Sequence, residues 1–150
     1  MASKLPLIES AYYFDATPEE MFSYFTDGKK LAKWFVRKAK ITPKAGSAYH
    51  LAWSGGYSHD GRVKRVVPNR LLTLTWPDVI KGKKYETQVS FSFKEKGKGT
   101  LVKLKHTGFK EGADWIWLFG AIQSGWAYFM TNLKSVVAEG VDLRSELDSP

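Results

Sequence analysis

A long uncharged segment near the C-terminal end sets the first limit on the fold of this sequence. No charged residue occurs from Trp115 to Leu133, a length close to that of a membrane-spanning helix. At 100° per residue, however, the large apolar side chains fall within about 120°, and the opposite face carries residues such as Ser124 and Thr131. The pattern therefore predicts an amphipathic helix at about residues 113–139, ended by Gly140, that packs on a core and does not insert into a membrane.

Ahead of this helix the spacing of apolar residues becomes that of β-strands. Thr17, Pro18 and Glu20 form a helix-start signal and Asp27 forms a second one, which predicts short helices at about 18–25 and 28–34. Alternation and turn residues predict strands at about 5–14, 49–53, 61–67, 71–76, 86–93 and 100–106, with a loop at 77–83.

Strands joined by such short connections pair antiparallel, so the predicted fold class is α+β. We expect a curved antiparallel sheet of about six to seven strands, with two short helices after the first strand and the long C-terminal helix covering the concave face. The 150 residues suit one domain, which we expect at 1–140, followed by a polar, frayed tail at 141–150. The sequence has no cysteine, and Glu9 closes a short apolar run that is not a signal peptide, so we expect a cytoplasmic protein.

The net charge of +8 is concentrated in the middle of the chain. Residues 27–110 hold 20 Lys/Arg against five Asp/Glu. The basic residues alternate with apolar ones, as at Lys103 and Lys105, which is typical of the solvent face of half-buried strands. No nucleic-acid-binding motif accompanies them, so we expect no nucleic-acid partner, and an acidic protein partner is the better alternative.

Three stretches of the sequence resemble a known family. They are Ala16–Phe22 continuing into Leu31–Phe35, Gly61–Val63 with Arg70–Trp76, and Ser124–Trp126. Their order and spacing resemble the activator of heat-shock protein 90 ATPase homologue-like family, part of the START-related helix-grip superfamily. The resemblance covers roughly residues 8–140. It implies a helix-grip fold, in which a curved sheet holds the C-terminal helix and a cavity lies between them.

Alternation along the strands and the apolar face of the helix predict which side chains point toward that cavity. Beyond the residues that we select as a site, the inward set includes Leu72, Phe93, Val102, Trp115 and Phe129. The candidate ligand-binding residues are Tyr49, Leu51, Trp53, Val63, Leu74, Trp76, Val89, Phe91, Leu104, His106, Phe119, Ile122, Trp126 and Met130.

These side chains allow two interpretations. They fill a core, or they leave a void that takes a small hydrophobic or aromatic ligand. Large Trp and Phe side chains on the helix favour a cavity smaller than that of a lipid carrier. Our first hypothesis is non-catalytic binding of such a ligand in this cavity.

The sequence offers little for catalysis. His50, His59 and His106 lack metal-site spacing, so we expect no metal, no cofactor and no catalytic residue. No carboxylate occurs among the inward positions. His106 is the ionisable inward group, expected near the rim of the cavity. Because the resemblance includes polyketide cyclases and aromatases, a cyclase-like enzyme using His106 and Tyr49 is a minor alternative.

Two surface features suggest protein contacts. The resemblance includes co-chaperone domains, so the basic sheet surface predicts, as an alternative function, docking onto an acidic partner such as a chaperone. Trp117 and Tyr128 lie on the helix side opposite the core stripe, which suggests a homodimer contact.

Overall fold

The computed structural model describes residues 6–144 and follows the predicted order of elements. The strands are β1 (Ile8–Phe14), β2 (Lys38–Lys40), β3 (Ala48–Ala52), β4 (Ser58–Val67), β5 (Leu71–Ile80), β6 (Lys83–Lys96) and β7 (Gly99–Thr107). The helices are α1 (Pro18–Thr26), α2 (Gly28–Trp34) and α3 (Ala113–Glu139). The predicted start of the first strand at Leu5 lies outside the described residues.

The strands form one sheet in the order β1-β7-β6-β5-β4-β3-β2, and every neighbouring pair is antiparallel. The sheet curves around α3, while α1 lies against β6 and β7 and α2 against β2 and α3. The predicted α+β helix-grip fold is therefore confirmed. Its core lies between the concave face of the sheet and the three helices.

Local signals place the helix ends. The Thr17 hydroxyl accepts a hydrogen bond from the Glu20 amide at 3.1 Å, and the Asp27 carboxylate accepts one from the Lys29 amide at 3.0 Å. At the C-terminal end of α3, the Gly140 amide donates to the Val136 carbonyl at 2.9 Å. Within residues 6–144, no helix combines the length and hydropathy that a membrane crossing requires.

The prediction of a loop at residues 77–83 is wrong. β5 continues through Pro77 to Ile80 and pairs with β6 as far as Lys83, so the turn is only Lys81-Gly82. Both turn residues have positive φ, +51° and +77°, as a two-residue hairpin turn requires, and glycine adopts this conformation without steric cost. β4 pairs with β5 only up to Leu74, so the segment around Pro77 has a neighbouring strand on one side, where a missing amide donor is tolerated.

The first half of the sheet also differs from expectation. β2 was not predicted, β3 ends at Ala52 before Trp53, and β4 begins at Ser58, ahead of the predicted Gly61. Gly61 pairs with Tyr49, and a Cβ at Gly61 would lie 2.5 Å from the Tyr49 ring. The absence of a side chain at Gly61 therefore lets Tyr49 lie flat across β4.

Part of the polar tail is held against the body of the domain. The Arg144 guanidinium donates to the carbonyls of Ala32 at 2.8 Å and Val36 at 3.1 Å, at the C-terminal end of α2. The side-chain oxygen Oδ1 of the buried Asn132 accepts a hydrogen bond from the backbone N–H of Leu143 at 2.7 Å. Residues 141–144 were expected to be frayed, but these hydrogen bonds hold them in place. Residues 145–150 lie outside the described residues.

Candidate functional site

A pocket of about 280 Å³ lies between α3, the outer end of the β3–β4 hairpin and the residue after α2. Its lining residues are Phe35, Trp53, Tyr57, His59, Trp76, Ile122, Gly125, Trp126 and Phe129. No Lys, Arg, Asp or Glu occurs in this lining. Tyr57, which is 59% exposed, marks its solvent edge. The pocket is therefore an uncharged, largely aromatic cleft.

Each side of the pocket follows from local structure. Residues 122, 125, 126 and 129 share one face of α3 because they lie three, four and seven positions apart. Trp53 follows β3 and begins a tight turn in which its amide donates to the Tyr57 carbonyl at 2.8 Å. Trp76 occupies an inward position of β5. The turn therefore brings Tyr57 back beside Trp53 at the mouth of the pocket.

The aromatic walls contact one another closely. The Phe35 ring stacks on Trp126 with centroids 5.4 Å apart, and meets Trp53 edge-on at 5.2 Å and Phe129 edge-on at 4.9 Å. Trp76 lies 5.2 Å from Trp126. Rings in such edge and stacked contacts support one another, so the walls have a defined shape before any ligand enters.

Three of the lining side chains, Trp53, Tyr57 and His59, carry polar atoms. The Tyr57 hydroxyl and Nε2 of His59 are hydrogen-bonded at 2.5 Å, and the His59 ring lies 5.0 Å from Trp53 and 4.7 Å from Trp76. Burial lowers the pKa of His59 to about 4, so its ring is neutral at pH 7. Nδ1 of His59 and Nε1 of Trp53 are buried, and neither has a hydrogen-bond partner within the described part of the chain.

Behind the pocket wall runs a chain of buried hydrogen bonds. The Trp126 indole donates to Nδ1 of His106 at 3.0 Å, Nε2 of His106 lies 2.7 Å from the Thr87 hydroxyl, and that hydroxyl donates to Asp78 at 2.7 Å. An indole only donates, so Nδ1 is the acceptor and the proton of the neutral His106 is on Nε2. Burial lowers the pKa of His106 to about 3 and raises that of Asp78 to about 6.

This chain corrects two expectations. A carboxylate does face inward, because β5 continues past Trp76 and places Asp78, 7% exposed, on the same face. His106 is fully buried and does not lie at a rim. The predicted partner of His106 in a cyclase-like pair, Tyr49, instead donates its hydroxyl to the Thr75 carbonyl at 2.6 Å. Both members of that pair are therefore occupied by other partners.

The fourteen candidate residues divide into four groups in the structure. Trp53, Trp76, Ile122 and Trp126 line the pocket. Tyr49, Leu51, Leu74 and Phe91 surround a space of only about 10 Å³, and Val63, Val89, Leu104, His106 and Met130 are fully buried in the core. Phe119 is partly buried and packs on Phe109 at 5.0 Å. The structure brings the first group together around an open space and packs the others among themselves.

Five pocket residues were not among the candidates. Phe129 was predicted to face inward without being assigned to the site. His59 could have been found by continuing the alternation of β4 back from Val63. Phe35 and Tyr57 carry no periodic signal, since they come from a helix end and a turn, and Gly125 has the right spacing but no apolar side chain to indicate it.

Neither of the two predicted contact residues, Trp117 and Tyr128, is among the residues that line this pocket. Trp117 is 73% exposed on α3, whereas Tyr128 is partly buried with its ring 5.1 Å from Phe129. Their role in dimerisation stays a prediction. Among residues 6–144, no three His, Cys, Asp or Glu side chains gather as metal ligands would.

Comparison with protein families gives one match over most of the chain. A family model described as "Activator of Hsp90 ATPase homolog 1-like protein" matches residues 15–138. A search of the curated proteins found no match.

Solved structures share this fold at low sequence identity. Protein MLL2253 from Mesorhizobium loti is 21% identical with a TM-score of 0.80, the alignment covering 92% of this chain and 100% of that one. The Aha1 dimer from Colwellia psychrerythraea is 22% identical with a TM-score of 0.77, covering 91% and 98%. CalU16 from Micromonospora echinospora is 27% identical with a TM-score of 0.64, covering 89% and 76%.

Proposed function

The chain belongs to the Activator of Hsp90 ATPase homolog 1-like protein family, and from that premise we propose that it binds small apolar or aromatic molecules in its pocket without catalysing a reaction. The observation that carries this proposal is the uncharged aromatic cleft bounded by Phe35, Trp76, Trp126 and Phe129. Flat apolar molecules gain both from leaving water and from contact with ring faces in such a site.

The size of the pocket limits the ligand. Its volume of about 280 Å³ lies just below the roughly 300–1,000 Å³ typical of ligand sites. The deeper space around Tyr49 and Phe91 holds only about 10 Å³ and adds no room. Molecules of one or two rings fit these dimensions, and long acyl chains do not.

A first test asks whether the protein carries a ligand as purified. Native mass spectrometry of gently purified protein, compared with its denatured mass, is expected to show an added mass that is lost on denaturation. The identity of that mass would define the ligand class directly. An apo mass together with a failure to bind added two-ring aromatics would contradict the proposal.

A matched pair of glycine variants tests the location. A Cβ at Gly125 would meet no atom within 4 Å, and Gly125 faces the pocket, so Gly125→Leu is expected to fill it. Gly120 is equally free of neighbours but exposed to solvent, so Gly120→Leu is the control. Titration with 2-methylnaphthalene, followed by NMR, should show binding to the wild type and Gly120→Leu only. Equal binding by Gly125→Leu would exclude this pocket.

The outer face of the sheet supports a second candidate, docking onto an acidic protein partner. The register aligns Lys105, Ser90, Thr73 and Arg65 in one row across β7, β6, β5 and β4. Lys103 lies on the same exposed side of β7, and the acidic neighbour of this row is Glu9 on β1. The basic side chains of this face, Lys103, Lys105 and Arg65, attract acidic surfaces, and their affinity for such a surface falls as the salt concentration rises.

The test of this candidate uses two double variants with equal charge change. Lys103→Gln with Lys105→Gln is expected to weaken binding of a polyglutamate peptide, while Lys38→Gln with Lys40→Gln on the edge strand β2 should leave it intact. Fluorescence polarisation at low and high ionic strength measures both. An equal loss in the two variants would indicate general charge attraction and exclude the sheet face.

A further inference from the structure

Two buried nitrogens without hydrogen-bond partners among the described residues belong to neighbouring side chains that line the pocket, His59 and Trp53. His59 is 7% exposed, and its ring meets Trp53 edge-on with centroids 5.0 Å apart. Within residues 6–144, neither Nδ1 of His59 nor Nε1 of Trp53 has a hydrogen-bond partner. A buried polar atom without a partner is destabilising, because it has lost its hydrogen bonds to water and gained none in return. An occupant of the pocket that supplied partners to both would remove this destabilisation.

The charges around the pocket limit what this occupant can be. No ionised side chain occurs in the lining, and the neutral His59 adds no charge at pH 7. A charged ligand group would lose its hydration here without meeting an opposite charge, which is strongly unfavourable. The polar group of the ligand is therefore uncharged.

The hydrogen-bonding roles narrow the chemistry further. Trp53 Nε1 can only donate, so the ligand must offer an acceptor. Nδ1 of His59 takes either role, because the Tyr57 hydroxyl on Nε2 can donate or accept at their separation of 2.5 Å. A hydroxyl group meets these requirements, since its oxygen accepts from one nitrogen while it donates to, or accepts from, the other.

We propose that the pocket selects neutral phenols of one or two rings, with the ring between Phe35, Trp76 and Trp126 and the hydroxyl group at Trp53 and His59. This inference rests on the proposed function and specifies its ligand class. The aromatic walls supply most of the affinity, and the two nitrogens supply the preference for a hydroxyl group over an apolar substituent of the same size.

The experiment compares two molecules of nearly equal shape, 2-naphthol and 2-methylnaphthalene, by NMR titration of the ¹⁵N-labelled protein. 2-Naphthol is expected to bind roughly tenfold more tightly, the equivalent of one hydrogen bond of about 1.4 kcal/mol. The indole N–H signal of Trp53, assigned with Trp53→Phe, should move downfield with 2-naphthol and much less with 2-methylnaphthalene.

Variants separate this inference from the proposed function. Trp53→Phe and His59→Leu should each reduce the preference for 2-naphthol while 2-methylnaphthalene still binds, and Trp117→Phe on the exposed face of α3 should change neither. Equal affinities of the two molecules for the wild type, or a preference that survives both pocket variants, would overturn the phenol assignment alone. Failure of both molecules to bind would overturn the aromatic-ligand function and this inference with it.

Discussion

Trp126 lines the pocket with its ring and donates its indole N–H to Nδ1 of His106 over 3.0 Å on the other side. The side chain that forms the pocket wall is therefore held by a fully buried histidine of β7. Because His106 is in turn bound to Thr87 on β6, the position of the wall depends on the pairing of these two strands.

Removing the imidazole tests this dependence. His106→Leu introduces an apolar side chain of similar size and leaves the Trp126 N–H without its acceptor, so we expect a loss of about 1–3 kcal/mol in the free energy of unfolding. Urea denaturation followed by circular dichroism measures it. His50→Leu, at a partly exposed residue paired with Asp60 on the surface, should cost less than about 0.5 kcal/mol. Equal effects would contradict the structural role of His106.

Acid should destabilise the protein below about pH 6.5. The unfolded chain protonates His59 and His106 near pH 6.5, whereas the folded chain does so only near pH 4 and pH 3, so stability falls as the pH is lowered. Asp78 acts in the opposite direction, because its folded pKa of about 6 lies above its ordinary 3.8. Between pH 6 and pH 4 the unfolded chain therefore binds about one proton more than the folded chain, and the free energy of unfolding falls by roughly 1 kcal/mol per pH unit.

The variant Asp78→Asn isolates the opposing contribution. Without the carboxyl, the folded state no longer gains a proton near pH 6, so the loss of stability per pH unit should roughly double. Denaturant midpoints at half-unit steps from pH 7 to pH 4 give both slopes. A slope unchanged by the substitution would show that the pKa of Asp78 is not raised by burial.

A methyl group at Gly61 should be poorly tolerated. Its carbon would lie 2.5 Å from the Tyr49 ring, so Gly61→Ala must displace a buried side chain of β3, at a cost of about 1–3 kcal/mol. Gly120 is an exposed residue of α3, and a Cβ there would meet no atom within 4 Å. Gly120→Ala should therefore raise the free energy of unfolding by about 0.5–1 kcal/mol. Thermal unfolding of the two variants should therefore shift in opposite directions, and a stabilised Gly61→Ala would contradict the contact.

The end of α2 should depend on a residue far along the chain. Arg144→Ala removes the hydrogen bonds to the carbonyls of Ala32 and Val36, and we expect a loss of about 1–3 kcal/mol. Hydrogen exchange should accelerate at the last turn of α2 more than elsewhere. Arg37→Ala, at an exposed residue nearby, is the control, and an identical exchange pattern in the two variants would exclude this role of Arg144.

Most of the fold could be predicted because its signals are local. The caps at Thr17 and Asp27 and the limits of α3 depend on residues within one helix turn, and the structure has them where the sequence placed them. The sequence pattern predicts that β5 ends at Trp76, ahead of Pro77, whereas the strand continues to Ile80. Whether a proline ends a strand depends on which neighbours pair with it, and that is a property of the whole sheet.

The candidate site was harder to predict, for a similar reason. Alternation correctly gives the side of the sheet on which Tyr49 and Trp76 lie, but not which of them borders an open space. Tyr49 is packed because Gly61 lets its ring lie down, and Trp76 borders the pocket because Phe35 arrives from the end of α2. Whether an inward side chain is packed or borders an open space depends on contacts between residues far apart in sequence, and the periodicity of a strand does not contain this information.

The hydrogen-bond chain from Asp78 to Trp126 does not conduct protons to the pocket. A proton moves along such a chain only if each member can accept at one end and release at the other, and an indole nitrogen has no lone pair with which to accept. Nε2 of His106 already carries a proton, and the Trp126 indole cannot accept one, so a proton taken up at Asp78 does not reach the pocket wall. Any proton exchanged with a bound molecule must pass through Tyr57, His59 or solvent.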